Sequence, residues 1–252
     1  MISLLSAMFT DPVRKQTYRW HRTPRLLITE LEIMQTHIEL DIETLLAEAA
    51  LFAEVETLYD EPSLYGVTDG KAVGTYLEHK FKLYLAGKYE YQQGNSASGI
   101  DFPGLDVDVK VTSIRQPQSS CPFKSARQKV FGLGYHLLVF VYEKTDDHKG
   151  RTGRLNMQHT IFVDRDRTAD FQMTKGLLQI LENDGNVDDI IAFMQDKNLL
   201  VDDIGAIAIA EEVMRTPPNQ GYLTISNALQ WRLQYGRVIQ EAGKIEGIHR
   251  VR

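Results

Sequence analysis

The sequence predicts an α/β fold, a sheet layered against helices, and three observations carry that expectation. "VDVKVTS" places Val107, Val109 and Val111 on one face of a strand, because side chains alternate along an extended chain. "YHLLVFVYEK" is almost continuously apolar, as in a strand covered on both sides. Around these, the order helix, strand, strand across a turn, strand, helix, apolar strand is the outline of a layered α/β domain.

The elements follow in order along the chain. Residues 1–27 hold Arg14, Lys15, Arg19, Arg22 and Arg25 without a sustained period and read as a basic arm or partly disordered extension. From Leu31, apolar positions at Met34, Ile38, Ile42, Leu45, Ala49, Phe52 and Tyr59 recur mostly at steps of three and four, predicting one long amphipathic helix. Its other face is almost wholly acidic, expected to be solvated or to meet a partner subunit. "EPSLYGVTDGK" is a loop, and "AVGTYLEHKFKLYLAG" a second helix with Val73, Leu77, Phe81, Tyr84 and Leu85 inward and Gly87 as its stop. "KYEYQQGN" reads as a short strand, "SASG" as a turn, and "IDFPG" as a Pro-Gly turn into the valine strand. "SIRQPQSSCP" is a loop and "FKSARQKVFGLG" a helix ending at Gly132 or Gly134. After the apolar strand come a polar turn, "TDDHKGRTGR", and a further strand, "HTIFVDRD". From Met173 the pattern turns helical in "KGLLQILEN", "VDDIIAFMQDKNL" and "DIGAIAIAEEVMR", and "TISNALQWRLQYGRVIQEAG" is expected to be another helix, capped by Thr224 or Ser226. The chain thus divides into an arm (1–27), an α/β core (28–172) and a helical C-terminal region (173–252).

Composition narrows the class. The 252 residues are 43% hydrophobic, enough for a packed interior, yet no apolar run is long enough to span a bilayer, so no membrane partner is expected. No basic region precedes the first apolar residues as in a secretory signal, and Cys121 is the only cysteine, excluding an internal disulfide and a cysteine-ligated zinc site. A reducing, cytoplasmic setting is expected. The histidines show no metal-ligand spacing. The net charge of −6 hides a polarised chain. Residues 28–62 carry ten acids and no Lys or Arg, whereas residues 110–154 carry nine Lys/Arg against three acids, a field suited to an anionic ligand.

That basic stretch adjoins a charged strand face. Asp106, Asp108 and Lys110 alternate with the valines, and like charges two apart repel unless something offsets them. Carboxylates are hard ligands for Mg²⁺. A bound cation lowers the pKa of water and neutralises a scissile phosphate, and a nearby lysine steadies the developing charge, which together make phosphodiester cleavage.

Asp101, a short gap, and then Asp108-Val109-Lys110 resemble the PD-(D/E)xK motif of the restriction-endonuclease-like superfamily. The resemblance covers roughly residues 70–143 and implies a central mixed sheet flanked by helices. It implies further that Asp101 and Asp108 hold Mg²⁺, that Lys110 positions the attacking water, and that Glu78 in "GTYLEHKF" completes the metal site, assisting through the metal or its water. In the family the proline precedes the first acid, whereas here Ile100 precedes Asp101 and Pro103 follows it, leaving open whether Asp101 or Asp106 is the first ligand.

Further residues are candidates for DNA contact. Arg115, Gln116 and Gln118 follow the lysine in a polar loop and offer donors to bases or phosphates. Lys124, Arg127 and Gln128 lie on the next helix, and Arg232 and Arg237 in a C-terminal segment that resembles a helix-turn-helix or winged-helix tail. The expected function is a type II restriction endonuclease acting on double-stranded DNA as a homodimer, beside a methyltransferase of the same site. The rivals are a structure-specific repair or junction-resolving nuclease and a non-catalytic DNA-binding regulator.

Overall fold

A computed structural model describes residues 39–92, 94, 99–121, 124–227 and 231–252. The proposed N-terminal arm, the first turns expected of the long helix and most of the "SASG" turn lie outside these residues. Residues 38–252 form one compact unit.

Helix α1 (Ile42–Thr57) begins where the Asp41 carboxylate accepts the Thr44 N–H at 2.7 Å. The helix expected from Leu31 is not continuous through residues 39–41: Asp41 caps α1, and Glu39 bridges to Glu90 as a single extended pair. Its acidic face is also less solvated than expected. Glu48 and Glu56 are buried, with Glu48 accepting from Tyr84, Lys88 and Tyr89 and Glu56 pairing with Lys80 and Tyr76. Strand β1 (Asp60–Glu61) follows, then α2 (Gly70–Ala86), capped by Asp69 and burying Val73, Leu77, Phe81 and Leu85.

"KYEYQQGN" forms no strand over its described residues; its backbone is tied by the Glu90 bridge and by the Gly94 N–H on the Asp101 carbonyl at 3.0 Å. Strand β2 (Val107–Ser113) buries its three valines against α1 and α2. The segment expected as a loop contains strand β3 (Gln118–Cys121), and α3 (Arg127–Phe131) is short, stopping at Gly132, whose φ of 92° suits glycine. Strands β4 (His136–Asp147) and β5 (Thr152–Val163) form a long hairpin, both running further than the apolar pattern alone indicates.

Helices α4 (Phe171–Glu182), α5 (Val187–Asp196) and α6 (Asp203–Arg215) start at the caps Asp170, Asn186 and Asp202, as the S/T/D/N preference at helix starts requires, and share a third apolar cluster. The long helix expected over residues 224–243 is not formed. Its place is taken by β6 (Thr224–Ile225), β7 (Trp231–Gln234) and a short α7 (Gly236–Glu241) before β8 (Ile248–Arg250). The reason is visible in β7: Trp231 and Leu233 are buried while Arg232 and Gln234 are exposed, a period of two that a helix cannot satisfy. Gln234 on β7 and Arg237 on α7 therefore share no helical face.

The described strands make two sheets. The larger has the order β1-β5-β4-β2, with β8 also on β5; β2 runs parallel to β4 and the other pairs are antiparallel, so the sheet is mixed as expected. The smaller has the order β3-β7-β6. Leu137, Val139 and Val141 on the far face of β4 pack with Trp231 and Leu233 of the small sheet, which accounts for an apolar run covered on both sides. Strand β2 is left at the edge, with Asp108 and Lys110 opposite Leu137 and Val139. Among the described residues, no helix is long and apolar enough to cross a membrane.

Candidate active site

The site is assembled by a tight reversal ahead of β2. Phe102 and Val107 exchange backbone hydrogen bonds of 2.9 and 3.2 Å, and the turn closes through Asp106, whose φ of 52° is the left-handed conformation that Asp tolerates better than most residues. This fold-back lays Asp101 alongside β2, where its Oδ2 accepts the Val109 N–H at 2.8 Å. Asp108 and Lys110 leave β2 on the face opposite the valines, with Lys110 Nζ 2.6 Å from Asp108 Oδ2. Glu78 and Lys82, one turn apart on α2, approach from the helix, and Lys82 Nζ lies 2.5 Å from Asp101 Oδ1. These five side chains, with Gly94, Gly99 and Ile100, line a cavity of about 450 Å³.

Burial sets the electrostatics of the cavity. Asp108 is 4% exposed, and burial pushes its carboxyl up to about 7 against the opposing pull of Lys110, with Asp101 adding to the rise. Burial, and then the charge of Asp101, likewise push Glu78 up to about 7 although Lys110 and Lys82 oppose it. Burial works to raise Asp101 too, but hydrogen bonds from Asp108, Lys82 and the Val109 N–H outweigh it and hold this carboxyl below its ordinary value. For Lys110 burial works downward, and Asp108, Asp101 and Glu78 together hold the ammonium above its usual range. Asp101 and Asp108 thus face Lys82 and Lys110, and the rise at Asp108 and Glu78 marks a cavity short of positive charge for full ionisation of its acids.

A hard cation would relieve that shortage. Among the described residues no group of three or more His, Cys, Asp or Glu forms a ready metal cage. Asp101 and Asp108 supply two adjacent carboxylates, which fits Mg²⁺, an ion usually held by one or two carboxylates with its waters and substrate phosphates completing the shell.

The structure brings Asp101, Asp108, Lys110 and Glu78 together. It turns Asp106 outward, exposed and ahead of the strand. Arg115 and Gln116 are exposed in the turn after β2, Arg115 lying 3.8 Å from Glu143. Gln118 opens β3, anchored by its N–H on Thr112 Oγ1 at 2.8 Å. Lys124 is exposed. Arg127 grips Glu212 of α6 with two nitrogens, and Gln128 donates to the Leu133 carbonyl at 3.0 Å, so both are engaged in packing α3. Arg232 is exposed on β7 opposite Ser120, and Arg237 lies over the Phe171 ring at 3.6 Å. Lys82 is the cavity residue that sequence reasoning missed; its signal was its position four residues after Glu78, on the same helical face.

Residues 39–250 match the family described as "Type II restriction enzyme NspV". The type II restriction enzyme NspV of Nostoc sp. is 68% identical over 209 residues, which cover 83% of this chain and 95% of that protein. No solved structure matches the chain.

Proposed function

Because the chain belongs to the NspV family of type II restriction enzymes, we propose that the cavity beside β2 is its catalytic centre, with Asp101 and Asp108 as carboxylate ligands of Mg²⁺. The protein is a site-specific deoxyribonuclease, and divalent metal ions are the general cofactor of such enzymes. One observation carries the assignment: the fold-back at Asp106 puts Asp101 on the backbone of Val109, between the acid and the lysine of "DVK".

When bound, such a cation supplies a lowered water pKa and charge neutralisation at the scissile phosphate. The chain's own residues supply the rest. Lys110, held by Asp108, orients the attacking water and faces the charge that develops on the phosphate. Glu78, which retains a proton near neutrality, exchanges it within the cavity. The polar positions of the small sheet, half-buried Gln118 and exposed Ser120, Arg232 and Gln234, together with Arg115 and Gln116 in the turn that joins it to β2, face double-stranded DNA in this reading; Gln and Arg are the side chains that pair bidentately with adenine and guanine edges. Lys124 adds a phosphate contact. Cutting both strands requires two such centres, hence a homodimer, and a host carrying this activity in its cytoplasm requires a methyltransferase that protects the same site.

The test is a digest of phage DNA with wild-type protein, Asp108→Asn and Lys110→Ala, in Mg²⁺ and in EDTA, with DNA binding followed in Ca²⁺. Discrete fragments are expected from the wild type in Mg²⁺ alone. Each variant should lose cleavage by a factor on the order of 10² to 10³ while still binding DNA. Cleavage by Lys110→Ala at the wild-type rate would remove β2 from the chemistry.

A further inference from the structure

The second lysine of the cavity has no part in the motif. Asp101 spends one oxygen, Oδ2, on the Val109 N–H, and Lys82 Nζ holds the other, Oδ1, at 2.5 Å. The two lysines are not equivalent. Lys110 is 19% exposed and stands on the sheet, whereas Lys82 is 32% exposed and reaches in from the surface of α2 on a flexible stem. A long, partly solvated ammonium can leave at little cost, since ion pairs of this kind are weak. Charge gives it a reason to leave. With Lys82 and Lys110 already facing Asp101 and Asp108, a divalent cation brings more positive charge than these two carboxylates offset. The group released into that excess stands at the wall of a cavity that must admit a phosphodiester.

We propose that Lys82 is the resident counter-ion of Asp101, competing with the divalent cation for Asp101 Oδ1 and pairing with a DNA phosphate once displaced. The inference rests on the assignment of Asp101 and Asp108 as metal ligands. It makes Lys82 a binding residue that couples cation entry to DNA engagement: the empty site is kept neutralised, and the positive charge is handed to the substrate when the cation arrives. Glu78, one turn back on α2, is the competing destination for the released ammonium.

Two measurements test it without cleavage. Mn²⁺ binding to the DNA-free protein, followed by calorimetry, should tighten about three- to tenfold in Lys82→Gln, because the competing cation is gone. DNA binding in Ca²⁺, measured as a function of salt, should lose about one unit of log–log slope in the same variant, because one phosphate contact is gone. Lys82→Arg keeps the charge and should stay near wild type on the slope, and Lys82→Met, which keeps the apolar stem, serves as the parallel neutral variant if Gln destabilises α2. Unchanged or weaker Mn²⁺ binding in both neutral variants, with native melting, overturns the competition. An unchanged salt slope overturns the phosphate contact and points to Glu78 as the destination. Asp108→Asn separates this from the parent reading: if its Mn²⁺ affinity equals that of the wild type, the metal assignment itself fails, whereas a loss there with no change at Lys82 fails only the present inference.

Discussion

Asp170 joins three parts of the fold, and its removal should be strongly destabilising although it lies outside the cavity beside β2. The residue is 4% exposed. Its Oδ1 caps α4 by accepting the Met173 N–H at 2.8 Å, its Oδ2 accepts the Ile225 N–H of β6 at 2.8 Å, and its own N–H donates to the Lys129 carbonyl of α3 at 3.0 Å. Asp170→Ala keeps the last of these and loses the first two. Loss of the cap costs about 1 kcal/mol. The Ile225 N–H is then stranded in a residue only 3% exposed, which adds about 1 to 3 kcal/mol. The sum is roughly 2 to 4 kcal/mol, or roughly 5 to 15 °C in melting temperature for a chain of this size. Asp202 provides the comparison, since it caps α6 through a single bond to the Gly205 N–H at 2.7 Å, at an exposed position. Asp202→Ala should cost about 1 kcal/mol. Thermal and urea melts of both variants give the answer. Because Asp101, Asp108 and Lys110 stand on or beside β2, Asp170→Ala should still cleave at low temperature, with weakened DNA binding as β6 loosens from β7. A loss no greater than that of Asp202→Ala would refute the double role of the carboxylate.

Two further outcomes follow from buried groups. Lys129 is 4% exposed, and burial holds its ammonium below the ordinary lysine value although the charge of Asp170 opposes this. A depressed lysine penalises the folded state wherever both states are protonated, and the penalty lifts as pH rises through the folded value toward the unfolded one. Lys129→Met should therefore stabilise the protein at neutral pH by up to ~2 kcal/mol and flatten the rise of stability at alkaline pH, as read by urea melts across that range. Cys121 is 2% exposed, and burial pushes its thiol up, so the native protein should be nearly inert to a thiol reagent at mildly alkaline pH and react fully in guanidinium. Fast native labelling would mean that the β3-β7 pairing opens.

The parts of the fold that were legible in the sequence are those whose signal is local. Strand β2 declares itself by alternation, β4 by an apolar run that needs cover on both faces, and α2, α4, α5 and α6 by amphipathic period. The motif acids and lysine were legible for the same reason, since "DVK" is a local pattern on a strand. The small sheet was not. "QSSC" has no apolar stripe, and it is a strand because β7, more than a hundred residues away in sequence, pairs with it from Gln118↔Gln234 to Cys121↔Trp231. In "WRLQ" the period of two is only four residues long and sits among Leu, Gln and Arg, residues with good helix propensity, so the local preference pointed the wrong way until the sheet partner decided it.

The same division explains why the sequence left Asp101 and Asp106 as alternatives. Both acids flank the same turn, and only the direction of the reversal separates them. A left-handed residue at Asp106 spends that position on turning the chain and leaves its side chain in solvent, while the pairing of Phe102 with Val107 carries Asp101 back to the Val109 amide. Which of the two acids lines the cavity is thus decided by a backbone conformation rather than by spacing. The edge position of β2 among the described strands does the rest: its outer side is met by the fold-back at Phe102 and by the Asp101 carboxylate, so Asp101, Glu78 and Lys82 gather against Asp108 and Lys110 in one cavity, while the parallel pairing with β4 fixes the inner side. On the proposed reading, a site that must keep its charges close together and yet admit a polyanion is well served by the rim of a sheet, where one side of the strand is fixed by a neighbouring strand and the other by a short turn that brings in a further acid.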